Sequence, residues 1–315
     1  MSGDYHLTLT GAFPRPEPLV QATRDLDRGR ITAEQAEVAF ADAETQVRQL
    51  EAELRFDSLT GGYLRWPDLF RPFTAVWSGV NAGPLTRFFE TNTFFRQPVL
   101  ETPPAVGKGR LADWLPQGRE ARAILPGPYT FAAVSDVRYT PKGPASGILD
   151  VADALAAEIR GLGANRPGHL QFQEPMLAYA PPRNGQADLL EAYRRLSAAC
   201  AGSTTAVWTY FGDPGPALLT VARLPVDIVG FDLFELQVPQ GASLGGKGLG
   251  LGCVDPTTTI AEDPSAVLRL VHAAETALRP STVWLGPNPP LDLLPFDCAV
   301  AKLRPLPHLR EVLRR

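Results

Sequence analysis

The chain has 315 residues, of which 44% are hydrophobic and 20% charged, with a formal net charge of −4. That composition belongs to a globular protein able to bury a large core. It carries no basic footprint for nucleic acid, and no run of about 18 apolar residues that would span a membrane.

The chain starts Met-Ser-Gly-Asp-Tyr-His, without a basic region followed by an apolar run, and predicts a cytoplasmic protein. Cys200, Cys253 and Cys298 are widely spaced and odd in number, as for reduced thiols.

The first predicted strand covers 6–10 and ends at the loop Gly11-Ala12-Phe13-Pro14-Arg15. Two helical stretches follow, the second beginning at Thr32 with Glu34 and Gln35 behind it, an N-cap pattern. A short strand at 57–60 leads into Gly61-Gly62-Tyr63-Leu64-Arg65-Trp66. Residues 67–116 read as an irregular, aromatic insertion covering one mouth of the fold.

From about residue 122 a regular alternation sets in. Strands are predicted at 123–126, 169–173, 205–210, 227–232, 248–254 and 283–285, and helices at 147–162, 187–201, 215–223, 264–278 and 299–314. Short apolar strands alternating with helices indicate a parallel α/β fold. Eight such strands predict a single (β/α)8 TIM barrel over 1–315, with a doubly wound sheet as the alternative. The glycine-rich stretch 245–250 lacks the spacing of a phosphate loop and reads as a turn entering a strand. The basic stretch 304–315 reads as the solvated face of a last helix.

Barrel active sites lie at the C-terminal ends of strands. Those ends carry Arg15; Tyr63, Arg65 and Asp68; Gln173 and Glu174; Trp208, Tyr210 and Asp213; Asp232 and Glu235; Cys253 and Asp255; and Asn288. Each also has a structural explanation. Glu174 before Pro175 can bond loop amides, Asp213 before Pro214 can cap a helix, Arg15 can pair with a surface carboxylate, and Tyr63 and Tyr210 can be packing residues.

Six motifs in order resemble the cobalamin-independent methionine synthase superfamily. Gly11-Ala12-Phe13-Pro14-Arg15 resembles the Gly-Ser-Phe-Pro-Arg element opening the catalytic barrel. The stretch Thr60 to Trp66 resembles Thr-Asp-Gly-Glu-x-Arg. Asn92 to Pro98 is similar to a segment of the short, single-barrel forms. Leu170 to Pro175 resembles Ile-Gln-x-Asp-Glu-Pro, Tyr210 to Asp213 falls on His-x-Cys-Tyr-Gly-Asp, and Gly250 to Asp255 resembles Gly-Val-Val-Asp. The resemblance implies a barrel related also to uroporphyrinogen decarboxylase and to thiol-alkylating transferases.

It further implies a zinc that converts a substrate thiol to thiolate, and here the chain departs. Trp208 and Tyr210 fall on the His and Cys ligand positions, Asp232 on the Glu and Pro289 on the second Cys. Indole and proline cannot ligate zinc, and a neutral phenol is a poor ligand. Tyr63 and Gln173 replace the acids that grip the amino group of homocysteine. The expectation is therefore a zinc-independent transferase or lyase with no resident metal or cofactor, acting on a small anionic substrate and not making methionine. Tyr210, Glu174, Asp232 and Tyr63 are its candidate acid–base groups. Arg15, Arg65, Gln173, Trp208, Asp213 and Asn288 are its candidate binding groups. A non-catalytic binding protein, and a zinc enzyme with shifted ligands, stay open as alternatives. So does delivery of the methyl group by a methylated folate, a corrinoid or a carrier protein.

Overall fold

The computed structural model describes residues 4–107, 109–140, 147–182, 185–215 and 217–315. Residues 1–3 of the N-terminal reading, Lys108 of the insertion and Pro216 of the predicted helix 215–223 lie outside these. The described residues form ten strands: β1 (Tyr5–Leu7), β2 (Trp77–Arg87), β3 (Phe94–Val106), β4 (Arg122–Pro126), β5 (Asp136–Val137), β6 (His169–Gln173), β7 (Thr204–Trp208), β8 (Ile228–Asp232), β9 (Gly248–Gly252) and β10 (Val283–Gly286).

Seven of them form one all-parallel sheet in the order β1-β10-β9-β8-β7-β6-β4. Every residue of β4, β8, β9 and β10 is buried, as expected for parallel strands covered on both faces. The strand expected at 57–60 is reduced to two isolated parallel bridges, Thr8 with Ser58 and Leu59 with Ala121. The observed architecture is therefore a curled seven-stranded sheet whose edges β1 and β4 are joined through Ser58 and Leu59, not eight full strands.

Helices pack outside this sheet where the alternation placed them, at Ile148–Gly161, Gln186–Ala199, Ala217–Val221 and Pro264–Leu278. Before them come Glu17–Asp27 and Ala33–Glu53, the latter opened by a reciprocal capping box between Thr32 and Gln35. The last predicted helix is two, Phe296–Leu303 and Leu306–Leu313, broken at Pro305. Its basic residues are not a solvated face throughout. Arg310 is buried and donates to Asp57, and Arg314 donates to the Tyr5 carbonyl. The carboxylate of Asp57, which also accepts from the Leu7 amide, draws the final helix onto the start of the sheet.

The insertion is more regular than its sequence suggests. It holds a helix, Arg71–Val76, and a long antiparallel hairpin of β2 and β3, to whose edge β5 adds in parallel. Prolines and two register shifts interrupt the alternation of this hairpin. At its tip, Phe89 lies 5.3 Å from the rings of both Tyr179 and Phe211. The hairpin thus rests on the loops that follow β6 and β7.

Candidate active site

A polar chain runs through the interior of the curled sheet and ends at the C-terminal edge. Arg122, on β4, donates to Ser58 Oγ at 2.8 Å and to Gln171 Oε1 at 3.2 Å. Gln171 and Gln173, both on β6, donate to the Thr10 carbonyl. Tyr210, two residues past β7, donates to Gln173 Oε1 at 2.5 Å. Burial pushes the Arg122 guanidinium down to about 9, and it stacks over Trp284 with no carboxylate against it among the described residues. Burial holds the Tyr210 phenol well above its usual value, so it stays protonated.

At the outer end of this chain is a chamber of about 300 Å³. Gln173, Tyr210, Tyr63, Ile124, Ala12, Pro290 and Asp292 line it, together with the aromatic side chains Trp66, Phe88, Phe94 and Phe95. An adjoining outer cleft of about 750 Å³ carries Arg15 and shares Ala12, Tyr63, Trp66, Pro67 and Asp292 with the chamber. Arg15 is anchored through Nε to the Leu64 carbonyl. Burial lowers its pKa, and the fields of Asp292 and Asp27 oppose that shift.

Asp292 was not among the sequence candidates. It is exposed to solvent and borders both cavities. Burial pushes its carboxyl up to about 6, against the pull of Arg15. The only signal for it was an acid placed shortly after the last strand. The insertion reads from sequence as an aromatic cover over one mouth, but Phe88, Phe94 and Phe95 could not be singled out within it, because residues 67–116 carry no legible strand pattern.

The other sequence candidates divide clearly. Tyr63 lines both cavities, and its hydroxyl accepts from the Ile124 amide. Glu174 is fully buried and lines neither; it accepts from the Tyr129 and Thr130 amides at 3.0 and 2.7 Å and from the Tyr193 hydroxyl. It caps the helix Pro128–Val134, and burial pushes its carboxyl up to about 7. Arg65 turns away from the chamber, forking onto Glu37 and binding Glu44, with its guanidinium over Phe40. Asp213 accepts from the Gln237 amide, joining the loops after β7 and β8.

Asp232 and Asn288 are hydrogen-bonded to each other in the interior, and burial raises Asp232 to about 6. Trp208 is fully buried, and its indole lies over Gly230 and Gly250, where any Cβ would collide with it. Trp208 Nε1 and Asn288 Oδ1 are buried without a hydrogen-bond partner among the described residues. Among the described residues, no group of three or more His, Cys, Asp or Glu side chains is placed to hold a metal ion. The residues at the four positions that the resemblance assigns to zinc do not fit it: an indole packed into the sheet, a phenol bonded to an amide, one carboxyl and a proline.

A parallel α/β sheet with its chamber at the strand ends is the plan of barrel enzymes. The chain belongs to the cobalamin-independent synthase family: residues 75–279 match the model described as cobalamin-independent synthase, N-terminal domain. That model covers Gln173, Glu174, Trp208, Tyr210, Asp213 and Asp232, and leaves Arg15, Tyr63, Arg65, Asn288 and Asp292 outside it. It describes the N-terminal domain, whereas the motif at Arg15 resembles the opening of the catalytic barrel.

Among curated relatives, the 5-methyltetrahydropteroyltriglutamate–homocysteine methyltransferase of Nitratidesulfovibrio vulgaris Miyazaki F is 28% identical over 242 residues, 68% of this chain and 31% of that protein. The one from Mycolicibacterium paratuberculosis is 29% identical over 212 residues, 64% of this chain and 28% of its own length. The chain thus spans about three tenths of the length of these relatives. Among solved structures, a B12-independent methionine synthase from Shewanella sp. W3-18-1 superimposes with a TM-score of 0.76, covering 100% of this chain and 98% of that one at 16% identity. A putative vitamin-B12 independent methionine synthase from Listeria monocytogenes gives 0.74 at 17% identity, covering 99% and 98%. At those identities the likeness shows the fold alone. No helix among the described residues is long and apolar enough to cross a membrane.

Proposed function

We propose that this chain is a zinc-independent methyl- or alkyl-transferase acting on a small molecule, and that it does not make methionine. The observation that supports this best is the Tyr210–Gln173 hydrogen bond. It occupies the place where the resemblance assigns a thiolate ligand, and its two members line the chamber. The curated relatives are named methyltransferases, which favours group transfer over lyase chemistry.

In this reading, Arg15 anchors an acidic group of the substrate in the outer cleft, with its Nε fixed so that the rest of the fork faces the ligand. The reacting end enters the chamber, where Gln173 fixes the Tyr210 phenol and Tyr210 hydrogen-bonds the substrate. Asp292 takes the proton of the acceptor as the acceptor's lone pair bonds the incoming carbon. The donor atom leaves with the electron pair of the broken bond. Glu174 and Asp232 support the scaffold and not the proton transfer, and Arg65 stays outside the binding set.

Metal analysis of the purified protein, with methyl transfer assayed before and after chelation, tests the reading. Substoichiometric zinc and unchanged turnover are expected. One tightly held zinc per chain whose removal abolishes turnover would overturn it.

A further inference from the structure

The chamber presents an unusual mixture of groups. Trp66, Phe88, Phe94, Phe95 and Tyr210 line it, together with Asp292, which is exposed to solvent. No lysine, arginine or histidine lines it among the described residues. The second acid on its surface, Asp68, is already engaged: it accepts from the Phe70, Arg71 and Arg96 amides. Among the described residues, Asp292 has no hydrogen-bonding side-chain partner, and Arg15 acts on it through its field.

An anion placed here would meet two carboxyls and no cation. A strongly hydrated ammonium would lose its water shell to aromatic walls that cannot replace those hydrogen bonds. A cation whose charge is spread over methyl groups has neither difficulty. It holds little water, packs against rings, gains from their negative faces, and is neutralised by one carboxylate.

We infer that the chamber selects a compact methylated onium, of the quaternary ammonium or sulfonium class, with Asp292 as its counter-charge. This rests on the same cavity as the proposed transferase reading and names the chemistry of the group entering it. It also accommodates Arg15: a substrate with an acidic group in the outer cleft and an onium in the chamber is a zwitterion that satisfies both ends. An onium is, further, a group from which a methyl leaves with a neutral amine or sulfide behind, so no proton need be supplied to the leaving atom.

The test uses an isosteric pair. Choline and 3,3-dimethylbutanol differ in a quaternary nitrogen against a carbon, at nearly the same volume. Calorimetric titration of the whole protein at pH 8 is expected to show choline binding at least about tenfold tighter. In Asp292→Asn that preference falls to within about twofold, while binding of the neutral alcohol persists and shows that the chamber is intact. Phe94→Ala, at the exposed rim, weakens both probes. Equal or tighter binding of the alcohol, tightest binding of pivalate, or no saturable binding of either probe would overturn the inference. These outcomes are independent of the transferase reading: onium selectivity in a protein that needs zinc for turnover would sink that reading alone, and zinc-free turnover without onium selectivity would sink this one alone.

Discussion

The Tyr210 hydroxyl donates to Gln173 Oε1, and the amide of Gln173 donates in turn to the Thr10 carbonyl. The phenol is therefore fixed by a glutamine that is itself fixed by the backbone after β1. Its orientation depends on the closure of the sheet and not on a flexible loop.

Removing that hydroxyl tests its role. Tyr210→Phe is expected to lower kcat by about 10²- to 10⁴-fold if the phenol acts on the substrate. It also leaves Gln173 Oε1 buried without a donor, at a stability cost of about 1–3 kcal/mol. Steady-state kinetics alongside chemical denaturation separate the two effects. Full activity in a merely destabilised variant would refute a direct role.

Asp292 gives a pH dependence with a defined sign. As a base it works deprotonated, so kcat/KM rises with pH through about 6, the value to which burial brings its carboxyl. Arg15 opposes that shift, and Tyr210 lines the same chamber within the field of Asp292. Arg15→Met is therefore expected to move the rising limb to higher pH and to raise KM for an acidic substrate. Arg65→Met should leave both unchanged, because its guanidinium is held by Glu37 and Glu44. A limb unmoved by Arg15→Met assigns the titration to another group.

Glu174 gives a stability prediction. Its folded carboxyl is raised to about 7, so the folded chain holds a proton that the unfolded chain releases near 4.5. Stability from this group is present at low pH and lost as pH rises from about 4.5 through 7. Glu174→Gln lacks that slope. At pH 5 it is less stable than the parent, since the amide presents an N–H to backbone donors; between pH 5 and 8 its Tm changes less. Parallel melting curves with equal slopes would show that Glu174 is ionised throughout.

Close approach of Trp208 to the sheet predicts a sharp packing effect. A Cβ at Gly250 would stand 2.5 Å from the indole, and both belong to rigid parts of the sheet. Gly250→Ala is expected to cost at least the 1–3 kcal/mol typical of overpacking, read as a shift in denaturation midpoint with unchanged m-value. An unchanged midpoint would mean that the indole can move aside.

The sequence carries much of this molecule and omits particular parts of it. The strands β4 and β6 to β10 were legible as short runs set off by helices or, between β8 and β9, by a glycine-rich turn. The hairpin of β2 and β3 was not, since Pro84, Pro98, Pro103 and Pro104 break the alternation that marks a strand. Position at a strand end placed Tyr63, Gln173 and Tyr210 at the chamber. It could not tell that Glu174 and Arg65 would be consumed by local partners, because that depends on the helix Pro128–Val134 and on the acids of Ala33–Glu53. Asp292 escaped because it lies in a loop without periodicity.

Trp208 has a consequence for how this part of the sheet tolerates change. Its indole occupies space that only glycine at 230 and 250 leaves free. A smaller side chain at 208 would leave a hollow above two bare backbones, and bulk at either glycine would strike the ring. The three positions therefore form one packing unit, in which any single change meets a badly packed neighbour and only a concerted change restores the fit.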